Sequence, residues 1–167
     1  MLVRLVCFIL LVSCAPSDRL QRTYAPTTGV WQVVSRDTEV FRDGRDHVLA
    51  RAIILEGGGE AGYYLSLSFL HGKGNNPKVV SVAMNGVPMP YVMDDRLSTC
   101  CNDHCHKTEV GHIQLTKTQF RTAGNEGMTL VVDGLRRDYL AVVPARLFYT
   151  ALGGAHLLAP VSPPPTD

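Results

Sequence analysis

Apolar and polar side chains alternate with a period of two along much of this chain, and this period restricts the possible folds more than any other sequence feature. In the stretch 63–69 (YYLSLSF) every odd-numbered residue is apolar, and Ser66 and Ser68 lie between them. Successive side chains of a β-strand point to opposite faces of the sheet, so the pattern predicts a strand with one buried face. The chain is therefore expected to consist mainly of β-strands.

Other segments carry the same signal or end at turn residues. We expect further strands at 29–35, 48–55, 80–84, 87–93, 109–115, 128–132 and 139–143. Asn85-Gly86 suits a two-residue type I′ turn, because both turn positions require a positive φ. Pro88 and Pro90 lack amide donors, which predicts that the strand after this turn lies at a sheet edge.

Two short helices are expected in the second half of the chain. Thr116 and Gln119 match a capping box, which predicts a helix of about seven residues that stops at Gly124. The stretch 146–152 (RLFYTAL) has apolar residues at helical spacing, and Gly153-Gly154 is expected to end that helix.

Together these elements predict a fold class. About seven to eight short strands with many turns are typical of an antiparallel β-sandwich or flattened barrel, here with one or two short helices. The length of 167 residues suits one domain, and the hydrophobic content of 46% can fill a core. Val80, Val82 and Met84 are expected to point inward together, and the core is expected to contain Trp31, Phe69, Leu130 and Leu140.

The N-terminus has the pattern of an export signal. Arg4 precedes an uninterrupted apolar run over residues 5–12 (LVCFILLV). Eight helical residues rise about 12 Å, which is too short for a hydrocarbon core of roughly 30 Å, so the run is typical of a secretory signal. A buried N-terminal strand or helix is the alternative interpretation of the run.

The end of this run, Leu11-Val12-Ser13-Cys14, resembles the lipobox of bacterial lipoproteins. The resemblance implies that residues 1–13 are a removed signal peptide and that Cys14 carries the lipid that holds the chain in a membrane. Several acyl chains anchor a protein lastingly, whereas one does so only marginally. Ala15, in place of aspartate, implies the outer membrane. Ser13-Cys14-Ala15 also fits a small-x-small cleavage site, which would release a soluble exported protein.

The remaining chain divides by composition. Residues 14–28 mix Pro, Ser, Thr and charge and are expected to form a flexible tether, residues 29–155 a β-sandwich domain, and residues 156–167 a Pro-rich tail. Docking of Leu20 and Tyr24 on the domain is the alternative for the tether.

Charge and motifs exclude some functions. Lys and Arg number 16 against 15 Asp and Glu, and a near-neutral chain is a poor binder of nucleic acid. We find no Gly-x-Ser-x-Gly elbow and no His-Glu-x-x-His, so we expect a protein that is not an enzyme and identify no small-molecule substrate. Asp94 and Asp95 are adjacent, which on a strand would place them on opposite faces. His47, His112 and His156 are isolated and predict no site.

The one chemically unusual stretch is residues 100–106 (CCNDHCH). In an oxidising compartment Cys105 is expected to pair with Cys101 or Cys100, which leaves one cysteine over. The main alternative is a metal centre for Zn or Cu, with ligands drawn from Cys100, Cys101, His104, Cys105 and His106. Reduced thiols are the third possibility. Apart from that metal, no cofactor is expected.

Segments across 29–152 resemble the invasion-associated locus B family of exported bacterial proteins. The matching residues are the opening Trp strand 31–35 (WQVVS), Cys101 and Cys105, the strand 112–116 (HIQLT), Phe120, the segment 127–132, and the final segment 143–152 (VPARLFYTAL). The resemblance implies a small β-sandwich connected with host-cell interaction, and it implies no enzymatic role.

These observations predict a membrane-anchored envelope lipoprotein that acts as a non-enzymatic structural or protein-interaction module. Its expected partners are the membrane, through the N-terminal lipid, and envelope or host proteins. The alternative is a periplasmic metal-binding module that uses the cluster at 100–106.

Overall fold

The computed structural model describes residues 20–44, 46–57, 60–71, 78–101, 104–134 and 138–156. These residues form eleven strands and two helices. The strands are β1 (Gln21–Ala25), β2 (Val30–Val34), β3 (Thr38–Asp43), β4 (Asp46–Gly57), β5 (Glu60–His71), β6 (Val79–Met84), β7 (Val87–Met89), β8 (Tyr91–Cys101), β9 (His104–Leu115), β10 (Met128–Gly134) and β11 (Asp138–Val143), and the helices are α1 (Lys117–Glu126) and α2 (Ala145–His156).

The strands form two antiparallel sheets that do not close into a barrel. The larger sheet has seven strands in the order β1-β2-β4-β5-β9-β8, with β3 paired to β4, and the smaller sheet has the order β11-β10-β6-β7. The predicted mainly β class with short helices is thereby confirmed, in its sandwich form. Strands β1 and β3 were not predicted, and the single strand predicted at 87–93 is divided at Pro90 between the two sheets.

The two helices cover one half of the inner face of the larger sheet, and the smaller sheet covers the other half. At one end Tyr63 packs against Phe120 of α1, with ring centroids 5.3 Å apart, and Phe120 packs against Phe148 of α2 at 5.1 Å. At the other end Phe69 meets Tyr139 of the smaller sheet at 6.2 Å. The alternating residues predicted to point inward along β5 are all buried. One strand thus packs against helices at its start and against a second sheet at its end.

Local turn chemistry agrees with the prediction. Asn85 and Gly86 have φ of 51° and 79°, as a type I′ turn requires, and they join β6 to β7 with Met84 opposite Val87. Strand β7 is an edge strand, as expected from Pro88.

The capping box of α1 is also confirmed, but both predicted helix stops are wrong. The Thr116 side chain accepts from the Gln119 amide at 3.1 Å, and the Gln119 side chain accepts from the Thr116 amide at 2.8 Å. Helix α1 ends at Glu126 and is capped by Gly127, with φ of 78°; Gly124 lies inside the helix, where a Cβ would be 3.2 Å from Leu152. Gly124 therefore permits close packing of α1 on α2.

Helix α2 continues through Gly153-Gly154 for a similar reason. A Cβ on Gly154 would lie 2.7 Å from Leu20 and 2.8 Å from Val33. The glycine lets the helix approach the first strands of the larger sheet closely, so it belongs to a packed interface.

Two expected core residues are exposed. Val80 is 56% exposed because the β6–β10 ladder shifts register, with Ser81 opposite Asp133 and Val79 opposite Gly134, so Val80 has no partner in that ladder. Leu140 is 59% exposed because Tyr139, Ala141 and Val143 form the buried face of β11. Phe69 and Leu130 are buried as predicted, and Trp31 is half-buried.

The predicted boundary between tether and domain is also wrong. Strand β1 lies inside the range 14–28 that was assigned to the tether, and it pairs with β2 of the domain. Tyr24 is opposite Trp31, and their ring centroids are 4.9 Å apart. Leu20 packs against the core. Docking of these residues, the alternative expectation, is what the structure shows, and the folded body begins no later than residue 20.

Candidate binding site on the outer face of the larger sheet

The outer face of the larger sheet carries a shallow concavity of about 320 Å³. It lies over β2, β4, β5, β8 and β9, and its lining residues are Gln32, Ile53, Leu55, Tyr64, Ser66, Asp94 and His112. Most of these side chains are half-buried although they point away from the core. Two aliphatic residues beside an aromatic ring, an imidazole and a carboxylate form a surface of mixed chemistry, which is typical of ligand sites.

The Tyr64 ring reaches back along β5 over Gly62, which precedes it by two residues. A Cβ on Gly62 would be 2.7 Å from the Tyr64 hydroxyl oxygen and 2.9 Å from Cζ, so the ring occupies the space that any other side chain would fill. Residues i and i+2 of a strand share a face, which is why this pair meets on the outer surface. The absence of a side chain at Gly62 thus gives the Tyr64 ring its position on β5.

His112 and Asp94 form the polar wall of the concavity. The His112 Nδ1–H donates to both carboxylate oxygens of Asp94, at 2.8 and 2.9 Å. The ring plane of His112 stands at 86° to that of Tyr64, with centroids 5.4 Å apart. Because an ionised carboxylate can only accept hydrogen bonds, this contact requires that Nδ1 of His112 carries a hydrogen.

A β-bulge places Asp94 beside His112. The β8–β9 ladder pairs Met93 with Gly111 and Asp95 with Val110, so Asp94 is the extra residue between two regular pairs. Strict alternation, on which the prediction for the adjacent aspartates depended, does not hold at a bulge. Asp94 and His112, which the sequence did not single out as a site, are therefore brought together by an irregularity with no clear local signal.

Ser66 completes a row of three polar residues across neighbouring strands. Ser66 on β5 is directly opposite His112 on β9, and His112 contacts Asp94 on β8. Serine hydrolases use the same three residue types, together with amide or side-chain donors that stabilise the oxyanion. Strand β5 pairs with β4 on one side and β9 on the other, so the amides around Ser66 are engaged in the ladders. The row is suited to binding through side chains.

The cysteine and histidine cluster lies at the end of the β8–β9 hairpin. The backbone register places Cys100 opposite Cys105 and Cys101 opposite His104, while Thr99 faces His106. The side chains of this cluster lie outside the described residues, as do Cys14 and the signal segment 1–13. Among the side chains that are described, no group of three or more His, Cys, Asp or Glu is arranged to hold a metal.

The other histidines have ordinary surroundings or fall outside the description. His47 lies 2.9 Å from a Glu39 oxygen on the exposed face of β3 and β4. The side chain of His156 and the tail from residue 157 are not described. Within the described ranges, no helix is long and apolar enough to cross a membrane.

The concavity around Tyr64 and His112 thus brings aliphatic, aromatic and ionisable side chains together in one candidate site. No protein-family model, curated protein or solved structure matches this sequence or its fold.

Proposed function

We propose that this chain is a bacterial envelope lipoprotein, anchored in the outer membrane through Cys14, whose β-rich body acts by contact and without catalysis. The observation that carries the contact role is the concavity in the middle of the larger sheet, where Ile53, Leu55 and Tyr64 face solvent beside a His112–Asp94 pair. Residues of this kind in the open middle of a sheet are typical of a binding surface.

A lipid on Cys14 would hold the body close to the bilayer. The folded body begins by Leu20, six residues after Cys14. Six residues span at most about 20 Å. The outer face would then meet neighbouring envelope proteins at a raised effective concentration. Host proteins are the alternative partners that the resemblance to the invasion-associated locus B family implies.

The anchor is tested by the intact mass of the chain extracted from membranes. We expect a polypeptide that begins at Cys14 and carries added acyl mass, and a Cys14→Ser variant without that mass. A native chain that retains Met1 and lacks lipid would contradict the anchor and the export that it requires.

The contact role is tested by site-specific crosslinking in intact cells. A photoreactive side chain in place of Gln32, which lines the concavity, is expected to form adducts with envelope proteins. The same group in place of Arg121, exposed on α1, serves as the control and is expected to form none. Repeated absence of adducts from position 32 would contradict a contact role for this face.

The second candidate function is a periplasmic module for Zn or Cu. It rests on the closeness of the cluster in the hairpin, where the backbone register pairs Cys100 with Cys105 and Cys101 with His104; consecutive pairs of a ladder belong to opposite faces, so at most two of these four residues share a face. Near-stoichiometric metal in the exported chain, with all thiols reduced, would support it. A loss of about two daltons within residues 100–106, the mass of two hydrogens released on disulfide formation, would exclude it.

A further inference from the structure

The concavity around Tyr64 has the chemistry of a carbohydrate subsite. The edge of the ring, from Cε2 to the hydroxyl, lies against Gly62, so the ring is held in place where it lines the concavity. A pyranose ring has an apolar face of C–H groups and a rim of hydroxyls. An immobilised aromatic ring matches the first of these features with little loss of side-chain entropy, because the packing against Gly62 already holds it.

The rim of the concavity matches the second feature. The side chain of Asp94 is 43% exposed and keeps acceptor capacity beyond the two contacts to His112 Nδ1. Hydroxyl groups that donate to an ionised carboxylate form short, strong hydrogen bonds. Ser66 and Gln32, which also line the concavity, have groups that both donate and accept.

Size and position favour a sugar over a peptide. A volume of about 320 Å³ is at the small end of ligand pockets and suits one or two sugar rings. An extended peptide gains affinity by adding a strand to a free sheet edge. Here the central strands β4, β5 and β9 are each paired on both sides, so a peptide would find no free backbone groups beneath it.

We propose that this concavity binds a neutral or amino-sugar pyranose, stacked on Tyr64 and held by hydroxyl hydrogen bonds to Asp94. The carboxylate disfavours an acidic sugar, because like charges would be brought close together. The site uses the same face as the proposed contact function but does not depend on the anchor. Binding by the purified chain and crosslinking in cells can therefore fail independently.

The test is calorimetric titration of the full chain, extracted in detergent, with soluble oligosaccharides of N-acetylglucosamine and of glucose. A parallel arm measures co-sedimentation with isolated cell-wall glycan, which separates a free sugar from an envelope polymer as the source. We expect saturable binding of at least one probe. Tyr64→Ala should weaken it at least tenfold, and Tyr64→Phe should stay within about threefold of wild type.

The matched control is Tyr149→Ala, which removes a tyrosine that is 70% exposed on α2, and it should leave binding unchanged. Asp94→Asn should weaken binding several-fold through loss of charge. Should Tyr64→Ala fail to fold, Ser66→Phe fills the concavity from its floor and should abolish binding. Absence of saturable binding to every probe, or equal binding by wild type and a folded Tyr64→Ala or Ser66→Phe variant, would overturn the proposal.

Discussion

Glu39 accepts hydrogen bonds from residues of two neighbouring strands. Arg42 donates to both of its oxygens, from Nε at 2.9 and 3.0 Å and from Nη2 at 2.7 Å, and His47 lies 2.9 Å from Oε2. The hydrogen bonds from Arg42 and then His47 lower the pKa of Glu39 from 4.5 to about 2. A lowered folded-state pKa means that ionised Glu39 stabilises the fold fully above pH 4.5 and loses this effect as the pH falls through about 2.

We therefore predict a pH-dependent effect of Glu39→Gln. At pH 7 it should lower the free energy of unfolding by about 0.5–1 kcal/mol, because the pair is exposed and screened by solvent. At pH 2 the two proteins should differ much less. Urea denaturation at both pH values measures this, and an equal difference at pH 2 and pH 7 would contradict the assignment.

Glu109 is a charged residue in the core, only 1% exposed. Its Oε1 accepts from the Val79 amide at 3.1 Å and from the Tyr91 hydroxyl at 3.3 Å. The carboxylate thereby links β9 of the larger sheet to the first residue of β6 in the smaller sheet.

Removal of this acceptor should be costly. Glu109→Ala removes this acceptor from the half-buried Val79 amide and the half-buried Tyr91 hydroxyl, and we predict a loss of about 3 kcal/mol in the free energy of unfolding. Glu109→Gln retains an accepting oxygen and should cost less than half as much. Chemical denaturation of the wild type and both variants measures these losses. If Glu109 only filled space, Glu109→Ala would be destabilising and Glu109→Gln would have no effect.

At the scale of single elements, α1 shows how a local signal can fix one end of a helix and leave the other open. Thr116 and Gln119 satisfy each other's backbone amides, and this requires only residues within one turn. The far end depends on which glycine faces α2, since Gly124 is buried there and Gly127 adopts the positive φ. The start was therefore predictable from the sequence, and the end was not.

The capping box yields a direct test. Thr116→Ala should lower the free energy of unfolding by about 1 kcal/mol, because the Gln119 amide loses its acceptor. Thr116→Ser keeps the hydroxyl and should stay within a few tenths of wild type. Thermal unfolding of both variants measures this, and equal losses would indicate that the methyl group matters more than the hydrogen bond.

The register of the β8–β9 hairpin favours one of the two disulfide pairings that the sequence left open. Directly opposite residues of an antiparallel pair have Cα atoms roughly 4.5–5.5 Å apart, within the range that a disulfide spans. Because Cys100 is opposite Cys105, we predict a Cys100–Cys105 bond with Cys101 left over. Peptide mapping without reductant tests it. Cys101→Ser should retain the bond and Cys105→Ser should lose it, whereas a bond that survives Cys100→Ser would contradict this pairing.

At the scale of the whole molecule, the two sheets meet through an aromatic cluster. Tyr139 of β11 packs edge-on against Phe41 at 5.1 Å and lies 6.2 Å from Phe69. These contacts join residues far apart in the chain, so the position of the smaller sheet depends on tertiary packing.

The neighbouring residues Tyr139 and Leu140 provide a matched comparison. Tyr139→Ala removes a buried ring between the sheets and should cost about 3 kcal/mol of unfolding free energy. Leu140→Ala removes an exposed side chain and should change it by less than about 0.5 kcal/mol. Denaturant titration of both variants checks which face of β11 is buried, and the reverse order would contradict the register described.

The candidate site belongs to the part that was not predictable. Tyr64, Ser66 and His112 follow from strand alternation once the pairing of β5 with β9 is known, but that pairing joins distant segments. Asp94 reaches His112 only through a bulge in β8. The sequence showed two adjacent aspartates and an isolated histidine, and neither pattern indicates a contact.

The features that could be predicted are those that depend on a few neighbouring residues. Alternation of apolar and polar residues predicted the strand that contains Tyr63 and Phe69. The dipeptide Asn85-Gly86 predicted a hairpin, and the spacing of Thr116 and Gln119 predicted the start of α1. The buried face of β11 could not be predicted in this way. Residues 139–143 are apolar at every position, so alternation cannot choose between Tyr139 and Leu140. That choice depends on what each face packs against, and those partners are brought close only when the whole chain folds.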